Sequence, residues 1–526
     1  MRISIRGFQG PLARATRDQL LQRGHQLVES GADCLIYYPG ETAELATLIA
    51  GGAFRRVVLR SHAYAYGSSA KNPGMITEER VSLLPAGAPA QLWLQAENLV
   101  ARQPNWAAVR LAMVLAAEEG DPLVRKLAAT SATALAGHDP NMQFLSLEDA
   151  AAALVAAAES DRTGIFNAAG DGVIPLKKAL RAAGAMRIPV PKPLMRLTDS
   201  AADPDQLQYN WTVSGARAAQ ELGFRPRLST VQALARFLKA KPGANIGALE
   251  PQYDEWGMDP DYIQAWGWWF AFLRKAYWRV DFEGMENIPA AGRALYVASH
   301  RGFMPLDGVI HLSLILTQCQ RTVRFLIIPS LLRIPFLCNF LTKVGGVVAS
   351  QQNATRLFEG ENLVGMFPEG IRGAFTPYKS AYKLRDFSKS GFARMAIVNQ
   401  APVIPVAVVG HAEIFPIIAR INSSLVTKTL GWPYLPIAPM FPLAPVPIPS
   451  KWHVRILEPV PLQGLRPADA DNAMLVQDFS RYIQAIVQKN IDQMVSRRKH
   501  IFWGRVLDGT SPPRPHFGTR ERAMEA

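Results

Sequence analysis

The sequence predicts an α/β protein in two parts, a truncated parallel-sheet domain followed by a mixed α/β domain. Three observations predict it. Over residues 1–240, short β-branched runs alternate with Ala- and Leu-rich helical runs, the pattern of βαβ units. From residue 257 a second set of apolar strands begins, and polar strings follow directly on two of them. Between the two sets lies the acidic, aromatic stretch Glu250–Trp256, which places a linker at 241–256. The second domain is expected over 257–493. A basic tail, 494–526, rich in Arg, Pro and Gly, shows no apolar period and is expected to be disordered.

In the first part the expected strands are Arg2–Ile5, Cys34–Tyr38, Arg56–Arg60, Ala107–Arg110 and Gln143–Leu145. The expected helices are Ala13–Arg23, Thr42–Ile49, Pro89–Ala101 and Glu148–Glu159. In the second, strand Ala294–Val297 precedes a helix over Val309–Leu316, and Asn362–Met366 and Ala401–Gly410 read as further strands.

The 49% hydrophobic content supports large cores, and the formal net charge of +14 suits an anionic partner such as a membrane surface. No nucleic-acid motif is present, so nucleic acid is not expected as that partner. Cys34, Cys319 and Cys338 have no metal-ligand spacing and read as reduced thiols of a cytosolic setting. The start, MRISIRGFQG, lacks the apolar core of a signal peptide. Phe325–Thr342 is apolar but broken by Pro329, Arg333 and Pro335, and Thr429–Ser450 carries seven prolines from Pro433 to Pro449. The expected location is therefore peripheral, on the cytoplasmic face of a membrane.

The chemistry-bearing strings lie in the second part. Ala298-Ser299-His300-Arg301-Gly302-Phe303-Met304-Pro305-Leu306-Asp307-Gly308 places a His at the end of a strand and an acid at a helix start. An imidazole there can take a proton from an alcohol while the carboxylate fixes its tautomer. Alone, such a pair is more often structural. Met366-Phe367-Pro368-Glu369-Gly370-Ile371-Arg372-Gly373 adds glycines for a tight turn, a Glu acceptor and an Arg fork. Alone, it would read as a surface turn with a solvated ion pair.

Together with Ala401–Gly410, in this order and spacing, these strings resemble the lysophosphatidate and glycerol-phosphate acyltransferase family over roughly 240 residues. The resemblance implies His300 as general base and Asp307 as its orienting partner. It implies Phe367, Pro368, Glu369, Gly370 and Arg372 as the binding site for the acceptor's glycerol or phosphate portion. It implies transfer from acyl-CoA or an acyl carrier protein to a glycerolipid or lysolipid hydroxyl, without metal or other cofactor. Two features depart from the family pattern. Six residues rather than four separate His300 from Asp307, which on a regular helix would part them by roughly 10 Å along the axis. Contact therefore needs a non-helical loop, which Gly302 and Pro305 allow. Val347–Gln352 also lacks the arginine that commonly holds the acceptor phosphate, the nearest being Arg356, which opens the acceptor to a neutral or differently charged lipid such as diacylglycerol or another lysolipid.

Tyr262–Trp278 contains eight aromatics beside Arg274, Lys275 and Arg279, a composition suited equally to the lipid headgroup layer and to packing on the core.

In the first part, Gly7-Phe8-Gln9-Gly10-Pro11-Leu12-Ala13 joins the first strand to the first helix, a turn suited to a pyrophosphate. With Ser61–Gly67, Glu97, Val109-Arg110, Phe144–Asp149 and Phe166–Gly170 it resembles the extended short-chain dehydrogenase/epimerase family, whose Rossmann-like domain binds NAD. That family's catalytic Tyr and Lys fall here on Pro89 and Trp93, which cannot do its chemistry. The second strand is cut down to Gln26–Glu29, leaving Glu29 as the candidate ribose-binding acid. The main expectation is a degenerate domain that regulates, docks or positions the transferase. Residual NAD(P) binding through Gly7 and Gly10 is the alternative. For the whole chain the rivals to an acyltransferase are a bifunctional oxidoreductase–transferase and an inactive lipid-binding scaffold.

Overall fold

The computed structural model describes every residue except 41, 53, 85–87, 89, 199–202, 250–252, 389–390, 508–516 and 518–526. The chain forms two compact units, Met1–Met258 with Pro335–Phe340, and Asp259–Ile334 with Leu341–Ala526.

The first unit is built on a parallel sheet. Its elements are β1 (Arg2–Gly7), α1 (Pro11–Gln22), β2 (Gln26–Leu27), β3 (Cys34–Tyr38), α2 (Thr42–Gly51), β4 (Arg56–His62), α3 (Gln91–Val100), β5 (Trp106–Leu111), α4 (Leu147–Glu159) and β6 (Gly164–Ala168). The strands lie in the order β2-β1-β3-β4-β5-β6 and all pair in parallel. That is the doubly wound order with the strand beyond β2 missing. The truncation follows from length, since only six residues separate Leu27 from Cys34 and no crossover helix fits. Alternate residues of β3 serve opposite faces. Cys34, Ile36 and Tyr38 pack with Leu12 and Leu20 of α1 and Ala151 and Leu154 of α4. Leu35 and Tyr37 pack with Leu45 of α2 and Ala96 and Val100 of α3. A strand covered on both faces reads as a continuous apolar run, which is why it was legible. The expected strand at Gln143–Leu145 is shorter, Phe144–Leu145, and lies outside this sheet.

Within the expected linker 241–256, described residues on both sides of 250–252 contact the first unit. Lys241 Nζ donates to the carbonyls of Leu127, Ala129 and Ala183 at 2.6–2.7 Å, and Ile246, Leu249 and Tyr253 pack against the unit's core. Glu250, part of the acidic stretch, lies outside the described residues.

The second unit contains α5 (Pro260–Phe272), β7 (Asp281–Glu283), β8 (Ala294–Ala298), α6 (Leu306–Cys319), β9 (Val323–Ile327), β10 (Val347–Val348), α7 (Gln351–Glu359), β11 (Leu363–Met366), α8 (Gly370–Ala374), α9 (Phe392–Asn399), β12 (Val403–Val409), β13 (His453–Ile456) and α10 (Ala473–Arg497). Its sheet has the order β7-β13-β12-β8-β11-β9-β10, mixed because β12 and β13 pair antiparallel. β8 sits at the centre, between β12 and β11, and all five of its residues are buried. Its carboxyl end is thus a rigid platform for the loop that carries His300.

The basic tail begins later than its composition suggested. Ile483, Val487, Ile491 and Met494 form one buried face of α10, which runs on to Arg497, and Val506 packs on that face with Ala407 and Val409. Arg498 donates to Glu413 at 2.5 Å and to Tyr382 Oη at 2.6 Å, with both charges buried. Removing one partner of a buried pair strands the other, so Arg498→Ala is expected to cost about 3 kcal/mol, seen as a lower thermal midpoint of the full chain. The expected disorder of the tail otherwise falls on 508–516 and 518–526, outside the described residues.

Candidate active site

The site is assembled where β8 and β11 end. His300 follows β8 by two residues, and the chain then turns through Gly302 (φ +79°) and Phe303 (φ +34°) before Pro305 caps α6. Gly302 is required there, because a Cβ would lie within 3.0 Å of Ile414 side-chain atoms. This non-helical loop brings Asp307, in the first turn of α6, back to His300. Asp307 Oδ2 accepts from His300 Nδ1 at 2.7 Å and from the Arg301 N–H at 3.2 Å, and Oδ1 accepts from the Gly308 N–H at 3.2 Å. The lengthened spacing is therefore compatible with direct contact. Asp307 is fully buried, whereas the His300 side chain is 16% exposed. With Nδ1–H donating to the carboxylate, Nε2 is the basic nitrogen.

Phe367, after β11, stacks on the His300 ring with centroids 4.7 Å apart, and on Phe325 at 5.2 Å. These contacts fix the imidazole plane. Gly370 has φ +53°, the left-handed conformation that glycine adopts without strain, with open space beside it.

His300 lies on a cleft of about 910 Å³. Val309, Leu312, Phe325, Leu341, Val344 and Met395 supply apolar walls, and Pro368, Gly370, Arg372 and Arg385 also line it. Arg372 and Arg385 are exposed. Arg356, on α7, is not among the lining residues.

Glu369 lines the cleft, but its side chain is fully buried and engaged by the protein itself. Its Oε2 accepts from Arg301 Nη1 at 2.7 Å and from the His300 N–H at 3.4 Å, and its Oε1 accepts from the Arg385 N–H at 2.7 Å. Arg301, which sequence reasoning passed over, also donates to the carbonyls of Ala381, His300 and Lys383. Glu369 thus ties the His300 loop to the Arg385 loop, and Arg385 takes a place at the cleft that the sequence did not assign. Only the adjacency of Arg301 to His300 hinted at the first, and nothing local marked Arg385.

Two further histidines pack below the site. Burial pushes the His311 imidazole down to about 4, and Nδ1 pairs with Tyr296 Oη at 2.8 Å. Burial, then the Arg301 charge, holds His411 well below its ordinary value. Both stay neutral near neutrality.

In the first unit the singled-out residues form a structural network. Arg110 makes a two-pronged pair with Glu97 at 2.6 and 2.8 Å, Ser61 donates to Glu97 at 2.6 Å, and Arg110 covers the Tyr66 ring. Trp93 stacks on His62 under the Arg60 guanidinium. Pro89 lies outside the described residues. A dinucleotide does not fit the Gly7–Gly10 turn as it stands. Gly7 has φ +85° and already closes on Tyr38 O, and the Leu12 N–H donates to Glu119 Oε1 at 2.7 Å. Glu29 borders a separate polar recess with Arg6 and Arg17.

A seven-stranded mixed sheet thus carries a His–Asp pair over an apolar cleft, and comparison with known proteins gives the class of enzyme. Residues 279–409 match the family model described as acyltransferase. An uncharacterized protein of Mycobacterium leprae is 33% identical over 281 residues, covering 52% of this chain and 76% of that protein. An uncharacterized protein of Mycobacterium tuberculosis is 32% identical over 286 residues, covering 52% and 79%. The chain belongs to one family with these relatives, and its residues 279–409 form an acyltransferase domain. Among solved structures, a UDP-N-acetylglucosamine 4-epimerase from Bacillus cereus overlays 46% of this chain and all of its own, with TM-score 0.36 and 13% identity. MoeE5 in complex with UDP-glucose and NAD overlays 45% of this chain and 98% of its own, with TM-score 0.37 and 14% identity.

Proposed function

We propose that the chain transfers a fatty acyl group from an acyl-CoA or acyl carrier protein thioester to a hydroxyl of a glycerolipid or lysolipid, with His300 as general base. The observation that carries this reading is the His300–Asp307 pair, 2.7 Å apart, on a cleft with apolar walls. His300 Nε2 takes the acceptor's hydroxyl proton as its oxygen attacks the thioester carbonyl. Asp307 stabilises the resulting imidazolium. The tetrahedral intermediate then expels the thiolate, which takes the proton back from His300, leaving an ester and a thiol. The cleft holds the acyl chain, and Arg372 and Arg385 meet the phosphate of the acceptor.

Trp266, Trp268 and Phe272 on α5 are exposed, whereas Ile263 and Phe270 are buried, so this helix offers aromatic side chains to a membrane surface while anchored to its unit. Among the described residues no helix is long and apolar enough to cross a membrane. We place the enzyme peripherally, on the cytoplasmic face.

The test is transfer from radiolabelled acyl-CoA and acyl-carrier-protein thioesters to vesicles carrying lysophosphatidate, other lysolipids or diacylglycerol. A labelled lipid ester is expected. A folded chain that acylates none of them from either donor refutes the reading. Arg372→Ala and Arg385→Ala are each expected to raise KM for a phosphate-bearing acceptor about tenfold, with kcat much less affected, as loss of a charge-assisted hydrogen bond dictates. An unchanged KM would remove the phosphate from the acceptor assignment.

A further inference from the structure

The fold of the first unit implies a dinucleotide whose pyrophosphate lies on the amino end of α1, beside Gly7 and Gly10. In this chain a carboxylate from 107 residues further along the sequence already sits there. Glu119 ends the short helical turn Ala117–Glu119, beyond β5, and its Oε1 accepts the Leu12 N–H at 2.7 Å. The space that a glycine at position 10 leaves open is occupied by the same oxygen, since a Cβ there would come within 2.7 Å of it and within 2.4 Å of the Phe8 ring. Next to it, Glu118 pairs with Arg14 of α1 at 3.3 Å.

The amino end of a helix presents unpaired N–H groups and a partial positive charge, so a carboxylate satisfies it in the way a phosphate does. An attached carboxylate also has a high local concentration that a free ligand must overcome. An entering pyrophosphate would have to displace Glu119 and then face that freed carboxylate and Glu118, both of its own sign.

We infer that Glu119 is a built-in substitute for the cofactor's pyrophosphate, so that the first unit holds its Rossmann-like turn closed without a dinucleotide. The glycines of that turn serve the chain's own close packing, Gly7 against Tyr38 and Gly10 against Phe8 and Glu119.

Two measurements on the full-length protein test this. Calorimetric titration of the wild type with NAD+, NADH, NADP+ and NADPH is expected to give no binding at millimolar ligand. Saturable binding of any of the four with Kd below about 1 mM would overturn the inference. Thermal unfolding of Glu119→Ala is expected to show a midpoint lower by about 3 °C. Millimolar inorganic pyrophosphate should restore that midpoint relative to sodium chloride of equal ionic strength, and should leave the wild type unmoved. Equal stabilisation of wild type and variant by pyrophosphate would also overturn it, as would an unchanged midpoint. Should Glu119→Ala not fold, Glu119→Gln keeps the shape without the charge and is expected to shift the midpoint in the same direction. The wild-type titration stands without either variant.

Discussion

Replacing His300 with Ala is expected to lower kcat/KM for acyl transfer by about 10³-fold or more, with the chain still folded and the acyl donor still bound. The side chain sits at the end of a central strand, is partly exposed, and lines the cleft, so its removal takes away a base without opening the core. A positioned general base contributes roughly 10²–10⁴-fold, which sets the scale. Asp307→Asn should follow closely. An amide at that position can donate to Nδ1, which favours the tautomer with its proton on Nε2, the nitrogen that must act as base. Because the buried Asp307 also accepts from the Arg301 and Gly308 N–H groups, the Asn variant is expected to lose some stability as well. Steady-state kinetics beside a thermal melt separates the two effects. A His300→Ala enzyme that keeps wild-type kcat would end the general-base assignment.

Glu369→Ala is expected to produce the largest loss of stability, about 3–5 kcal/mol. It leaves the Arg301 guanidinium buried without its carboxylate, and it removes the acceptor shared by the Arg385 and His300 N–H groups. Activity should fall with it, because the loops carrying His300 and Arg385 lose their common tie. The double variant Arg301→Met/Glu369→Leu, with apolar side chains in place of both charges, should recover part of the stability. Recovery is limited because the carbonyls of Ala381 and Lys383 lose their donor. If Glu369→Ala instead left the melting midpoint unchanged and raised only the acceptor KM, the glutamate would be serving substrate rather than the loop.

The contrast between these two residues shows how far local pattern reaches. His300 and Asp307 are seven positions apart on one strand–loop–helix segment, and their meeting needed only a turn that Gly302 and Pro305 advertise. Glu369 was visible as a motif residue, but its burial was not. Its partner Arg301 lies 68 residues away and arrives only when β8 and β11 pair. The buried strands β3, β8 and β12 were legible as apolar runs because both of their faces are covered. The register of α10 past Met494 was not, because basic residues beyond that point mask a buried face completed by Val506.

By itself the sequence determined the two-part α/β organisation, the missing strand beyond β2, the His–Asp pair and the glycine turn after β11. Each depends on short-range spacing, on chain length, or on a residue type that only one backbone conformation admits. The tertiary structure alone decided that Glu369 supports the loop from beneath, that Arg385 joins Arg372 on the cleft, and that Glu119 closes the amino end of α1. Those outcomes rest on carboxylates that accept hydrogen bonds from groups 16 to 107 residues away. Charged side chains carry no periodic signal of their partners, and only the folded sheet order brings such segments together.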